Sequence, residues 1–243
     1  MVESQGKRNQ GVFEKLLPGY PVSRNAHLHR MVTVRAGPVM LDGDLFLPEQ
    51  AKGLVVFIQG SDGNHSQHNQ YVARAMQRIG LGTLLFDLLT LEEEEVDLRT
   101  HQLCFDVSLL ARRAIGAADW LAGQTFTRGL KLGFFGASAG ATAALIAAAE
   151  RPEMTGAVVS RGGRPDLADN ALPHILAPTL LIAAQMDGQV TRLNEQALER
   201  MDAKTEKKLA VIPGATHAFK EPGALESVSR LAADWFRQHL LSK

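Results

Sequence analysis

The sequence predicts an α/β fold: a doubly wound, mostly parallel eight-stranded sheet with helices on both faces. Three observations predict it. Six short runs are apolar at every position, as strands covered on both faces require. Longer segments with apolar residues every three or four positions lie between some of them, as helices require. Two alternating runs separated by a turn precede them all, which suggests an antiparallel opening pair.

In chain order, residues 1–28 are polar, are broken by Pro18-Gly19 and Pro21, and lack sustained periodicity, so they read as a flexible or loosely docked leader. The opening pair is Met31–Arg35 and Val39–Leu47, on either side of Gly37-Pro38. The continuous apolar runs are Leu54–Ile58, Thr83–Phe86, Leu132–Phe135, Ala157–Ser160, Thr179–Ala183 and Leu209–Ile212. Leu103, Val107, Leu110, Ala114, Ala118 and Leu121 form one stripe of a helix ending near Gly123. After Pro222-Gly223, Leu225, Val228, Leu231, Ala232 and Trp235 line one face of a C-terminal helix. No repeat or interdomain linker interrupts residues 29–243, so they are expected to form a single domain.

Composition narrows the function. Lys plus Arg and Asp plus Glu are 26 each, so no net positive field gathers nucleic acid or an anionic membrane. The expected partner is a small molecule. Cys104 is the only cysteine, which excludes an intramolecular disulfide and fits a reducing compartment. The first residues contain no apolar signal segment, and no run approaches the roughly 18 apolar residues of a membrane span. The cytoplasm is the expected location.

Gly136-Ala137-Ser138-Ala139-Gly140 follows the strand Lys131–Phe135 and precedes the alanine-rich stretch Ala141–Glu150. A G-x-S-x-G between strand and helix is the context of a nucleophile elbow. Its glycines let strand and helix approach, and the helix N-terminus offers unpaired N–H groups to a developing oxyanion. The bland alternative is a glycine-rich turn with a serine N-cap.

A serine hydroxyl needs a base to take its proton and a carboxylate to orient that base. Asp187 follows the strand Thr179–Ala183, and His217 follows Leu209–Ile212 within Pro213-Gly214-Ala215-Thr216-His217. Both stand past the C-terminal ends of parallel strands, where doubly wound sheets build their sites. The second oxyanion donor is expected in Gln59-Gly60-Ser61-Asp62-Gly63, which makes the N–H groups of Ser61 and Ala139 the candidate pair.

The elbow, the order Ser138, Asp187, His217 and the eight-strand pattern resemble the α/β-hydrolase superfamily over residues 30–241. More narrowly the chain resembles its dienelactone-hydrolase-like branch. Val158-Val159-Ser160-Arg161-Gly162-Gly163-Arg164-Pro165-Asp166, Pro213–His217 and Glu221-Pro222-Gly223-Ala224 are similar to bacterial hydrolases sometimes joined to phosphoribosyltransferase domains. No such domain is expected within these residues. Dienelactone hydrolase itself has a cysteine where Ser138 stands, and many relatives open the oxyanion loop with His-Gly where this chain has Gln59-Gly60.

The resemblance implies a serine hydrolase cleaving a small ester, carboxylesterase-like, through an acyl-enzyme. Thioesterase, lactonase and peptidase activities use the same triad, and a non-catalytic binding scaffold of the same fold is the alternative of another class. No cofactor is expected. Gln59, Arg161 and Arg164 are candidate substrate-binding residues; the arginines follow the sixth strand, suited to a carboxylate on the substrate. The interval Arg161–Ala177 is too short for a large lid.

Cys104 is expected to be an inert buried thiol in the helix beside the Leu103 stripe. His65-Ser66-Gln67-His68 and His27-Leu28-His29 lack ligands at metal spacing, so no metal is expected. Glu92–Glu95 with Asp97 reads as a solvated loop or helix start.

Overall fold

The computed structural model describes residues 27–59 and 66–241. In chain order these form β1 (His27–Ala36), β2 (Val39–Pro48), β3 (Gly53–Gln59), α1 (Gln67–Arg78), β4 (Gly82–Phe86), α2 (Leu91–Thr100), α3 (Val107–Gly123), β5 (Lys131–Ala137), α4 (Ala139–Glu150), β6 (Thr155–Arg161), β7 (Thr179–Ala184), α5 (Gly188–Arg200), β8 (Lys207–Ile212) and α6 (Ala224–Phe236). The eight strands make one sheet in the order β1-β2-β4-β3-β5-β6-β7-β8. Only β2 runs against its neighbours, β1 and β4; every other pairing is parallel.

Alternation along each central strand divides the core in two. Leu54, Val56 and Ile58 of β3, Phe134 of β5 and Val158 of β6 face α3 and α4. Val55 and Phe57, Phe135 and Val159 face α1 and α6. Both faces are buried, which is why β3, β4 and β7 read as unbroken apolar runs. The outermost strand β8 is different: it is half-buried and carries Lys207 and Lys208.

Three expectations are corrected. β1 begins at His27, so the leader's last two residues belong to the sheet, with His27 opposite Pro48 and Leu28 opposite Leu47; residues 1–26 lie outside the described residues. The strand was illegible there because His27–Arg30 are all exposed and carry no apolar alternation. Leu103 does not join the helix of its stripe. Asp106 caps α3 by accepting the Leu109 N–H at 2.9 Å, so Leu103 falls in a separate 3-10 turn, Leu103–Phe105. Cys104 shares that turn rather than a helix, but it is buried as expected. Burial and then the Asp97 carboxylate push its thiol up to about 11.

Glu92–Glu94 occupy the first turn of α2, whose N-terminus is closed by a capping box: Thr90 accepts the Glu93 N–H and Glu93 accepts the Thr90 N–H. Between β6 and β7 the chain forms only a 3-10 segment, Pro165–His174, kinked at Asp169 and packed against α4 and α5, so no lid domain is inserted there.

Candidate active site

The site grows from the register of the sheet. Gln59, Ala137, Arg161 and Ile182 are paired across β3, β5, β6 and β7, so β3, β5 and β6 end side by side and β7 runs on to Ala184. Ser138 is the next residue beyond that row. Its backbone lies at φ 54°, ψ −124°, a conformation that costs a non-glycine residue about 1–3 kcal/mol. Hydrogen bonds hold it there: Ser138 N–H donates to the Arg161 carbonyl at 3.0 Å, and the Ser138 carbonyl accepts from Ala141 N–H at 3.0 Å.

The glycines of the pentapeptide are sterically required. A Cβ on Gly140 would sit 2.1 Å from the Ile58 carbonyl oxygen, and one on Gly136 would sit 2.4 Å from the Gly140 carbonyl oxygen. Only bare backbone lets α4 cross β3 and β5 this closely. Ser138 stands at the N-cap of α4, yet its hydroxyl makes no capping bond. The turn is therefore an elbow presenting a side chain, not an ordinary serine cap. Ala139, the first residue of α4, keeps an N–H without an acceptor inside the helix.

Asp187 and His217 meet. His217 Nδ1 and Asp187 Oδ2 are 2.8 Å apart, while Asp187 Oδ1 accepts the Val190 N–H at 3.3 Å and so caps α5. The carboxylate is largely sheltered, at 22% side-chain exposure, and the imidazole is open at 51%. Their loops are tied together: Gln185 N–H donates to Ile212, Met186 N–H to Ala215, and Gly214 N–H to the Gln185 side chain at 2.8 Å.

The turn Gly162–Gly163 lies between this pair and Ser138. His217 Cε1 is 3.7 Å from where a Gly162 Cβ would be, and the Ser138 carbonyl is 3.6 Å from that position on Gly163. Among the described residues no hydrogen bond joins Ser138 to His217. Catalytic contacts are often long in ligand-free enzymes and tighten when substrate binds.

The remaining expected residues divide. Gln59, nearly buried, ends β3 beside Ala137. The Arg161 guanidinium lies 5.5 Å from the centre of the buried Phe219 ring, at the His217 loop. Arg164 turns to Asp166, with contacts of 2.8 and 2.6 Å, and this pairing holds the Asp166 carboxyl below its usual range. Ser61 lies outside the described residues.

Sequence reasoning missed Asn194, a fully buried side chain that donates to the Val190 carbonyl at 2.7 Å and to the Gly163 carbonyl at 3.2 Å. It also missed the Gln185 clasp. No motif marks either one, since their partners come from other loops.

Comparisons with known proteins match the family and the fold. The sequence profile of the dienelactone hydrolase family matches residues 41–240. The solved dienelactone hydrolase of Anabaena variabilis is 54% identical, with a TM-score of 0.85 over 88% of this chain and 99% of that one. A Mycobacterium tuberculosis H37Rv protein named as a phosphoribosyl transferase is 51% identical over 210 residues, 86% of this chain and 46% of its own length. The chain thus spans about half of that curated relative. Est1E from Butyrivibrio proteoclasticus shares the fold alone, at 15% identity and a TM-score of 0.69 over 87% of this chain and 99% of that one.

Proposed function

Because the chain belongs to the dienelactone hydrolase family, we propose that it is a serine hydrolase that cleaves small esters through an acyl-enzyme. The observation that carries the proposal is the 2.8 Å contact between His217 Nδ1 and Asp187 Oδ2 at the sheet edge that also bears the strained Ser138. With Nδ1–H donated to that carboxylate, which can only accept when ionised, Nε2 is left as the base.

His217 Nε2 takes the Ser138 hydroxyl proton as Oγ attacks the acyl carbon, and Asp187 stabilises the resulting imidazolium. The Ala139 and Ser61 N–H groups receive the oxyanion. His217 then returns the proton to the departing alkoxide. Water, deprotonated by His217 in turn, attacks the acyl-enzyme, and His217 returns that proton to Ser138 Oγ as the acid leaves. Arg161, at the C-terminal end of β6 and over the Phe219 ring, suits a carboxylate on the substrate. The name of the mycobacterial relative describes a protein of about twice this length, and the matched residues carry the elbow on which the hydrolytic reading rests.

Fluorophosphonate labelling combined with a p-nitrophenyl ester series graded by acyl length tests the reading. The expected result is labelling and short-chain turnover, both abolished in Ser138→Ala. Esterase turnover persisting in Ser138→Ala would overturn it, and an unlabelled, inactive wild-type protein would favour a binding scaffold. Thioester, lactone and peptide substrates assayed beside the ester series rank those activities against carboxylesterase.

A further inference from the structure

Away from this site, we propose that Asp97, His101 and Cys104 form a zinc-type metal site at the turn that joins α2 to α3. Among the described residues they are the one group of three metal-ligating side chains whose donor atoms converge, all lying within 4.8 Å of one another. Tetrahedral zinc, with bonds of about 2.0–2.3 Å, needs its ligands roughly 3.3–3.8 Å apart. Closing the difference takes about 1 Å of inward movement, and the exposed His101 side chain can supply it.

The other two ligands are already placed. Asp97 is the one buried residue of α2, and its Oδ1 accepts the N–H groups of Leu103 at 2.7 Å and Cys104 at 3.2 Å. That anchors the carboxylate, which also accepts from the Cys104 thiol, whose proton is the one a metal would displace. The same two bonds fix the backbone that presents Cys104, which is 2% exposed. His101 is the C-cap of α2 in the left-handed conformation, φ 51°, and its N–H bonds back to the Asp97 carbonyl at 2.8 Å. The chain therefore reverses between the first ligand and the last.

One carboxylate oxygen, one imidazole nitrogen and one sulfur match zinc and its substitute cobalt(II); calcium and magnesium demand more oxygens. Binding balances as the metal dication displacing the Cys104 thiol proton to solvent, giving a neutral thiolate–carboxylate–metal unit with water at the open fourth position.

Cobalt(II) titration of the full, untagged chain tests the site, because Cys104 is the only cysteine and any thiolate-to-cobalt charge-transfer band must come from it. The expected result is that band together with tetrahedral d–d absorption. Cys104→Ala abolishes it, and Asp97→Asn and His101→Asn each weaken cobalt affinity about tenfold or more. Asn suits position 101 because it tolerates the left-handed backbone. Being exposed, that substitution leaves the fold intact, which circular dichroism checks. A folded wild-type protein without the band at excess cobalt overturns the proposal. So does unchanged affinity in either Asp97→Asn or His101→Asn, which would reduce the site to fewer than three ligands.

Discussion

Asn194 reaches from α5 to the Gly163 carbonyl at 3.2 Å, and so fastens the helix capped by Asp187 to the turn beside His217 and Ser138. Its second bond, to Val190 at 2.7 Å, returns to the turn whose N–H caps on Asp187. Replacing it with Leu leaves the buried Gly163 carbonyl unpaired, at a cost of about 1–3 kcal/mol. Urea denaturation should show that loss. Steady-state kinetics should show kcat falling more than KM rises, because the Asp187 carboxylate and the His217 imidazole would no longer be held in register with the elbow. A purely structural Asn194 would lower stability with kcat unchanged.

The elbow's conformation sets stability against activity. Ser138→Gly is expected to be inactive yet about 1 kcal/mol more stable than Ser138→Ala, since glycine adopts positive φ without strain whereas alanine retains it. Thermal denaturation of the two variants side by side measures the difference. Equal midpoints would mean that the backbone at 138 is not strained.

Gly140→Ala forces a methyl group to 2.1 Å from the Ile58 carbonyl oxygen, where backbone must yield. We expect a loss of about 3 kcal/mol or more, read from the denaturant midpoint. Gly123→Ala is the control: nothing lies within 4 Å of its Cβ position.

Arg113 is 7% exposed and pairs with Glu93 at 2.7 Å, also donating to the Ala36 carbonyl at 3.4 Å. It joins α3 to α2 and β1. Arg113→Met should cost about 2–4 kcal/mol, because Glu93 loses its charge partner in a partly buried place. Chemical denaturation of the single variant checks this.

His239 supplies a pH dependence. Burial against Trp235, with ring centres 4.6 Å apart, lowers its pKa below the ordinary 6.5, and Glu206 at 3.6 Å opposes this only in part. As the pH falls through about 6.5 the unfolded chain takes up a proton there before the folded one does, so folding free energy is lost from that point down to the folded-state pKa. His239→Gln should flatten this part of the curve. Identical stability–pH profiles between pH 7 and 5 would show that His239 does not report burial.

The legible features were those that depend on neighbours in sequence. Six continuous apolar runs and one alternating run gave seven of the eight strands to within about two residues, and Gly136–Gly140 between strand and helix located Ser138. The Asp187–His217 pairing was legible because both follow strand ends. What could not be read depends on distant partners. Arg113 sits among the alternating residues of α3 and looks like a solvated position until Glu93 and Ala36 arrive. Asn194 looks like any polar helix residue until Gly163 meets it. His27–Arg30 form a strand only because Leu45–Pro48 pairs with them.

The half-buried β8 carries a wider consequence. An open sheet presents unsatisfied N–H and C=O groups along each outermost strand, and a foreign strand can add to them. Lys207 points its ammonium to the Met201 carbonyl at 2.8 Å, and Lys208 remains in solvent. Two ammonium groups along one short ribbon disfavour self-addition, since stacking copies would bring like charges together. Among the described residues no strand pairs with the outer edge of β8, and the two ammonium groups there oppose fibrous growth.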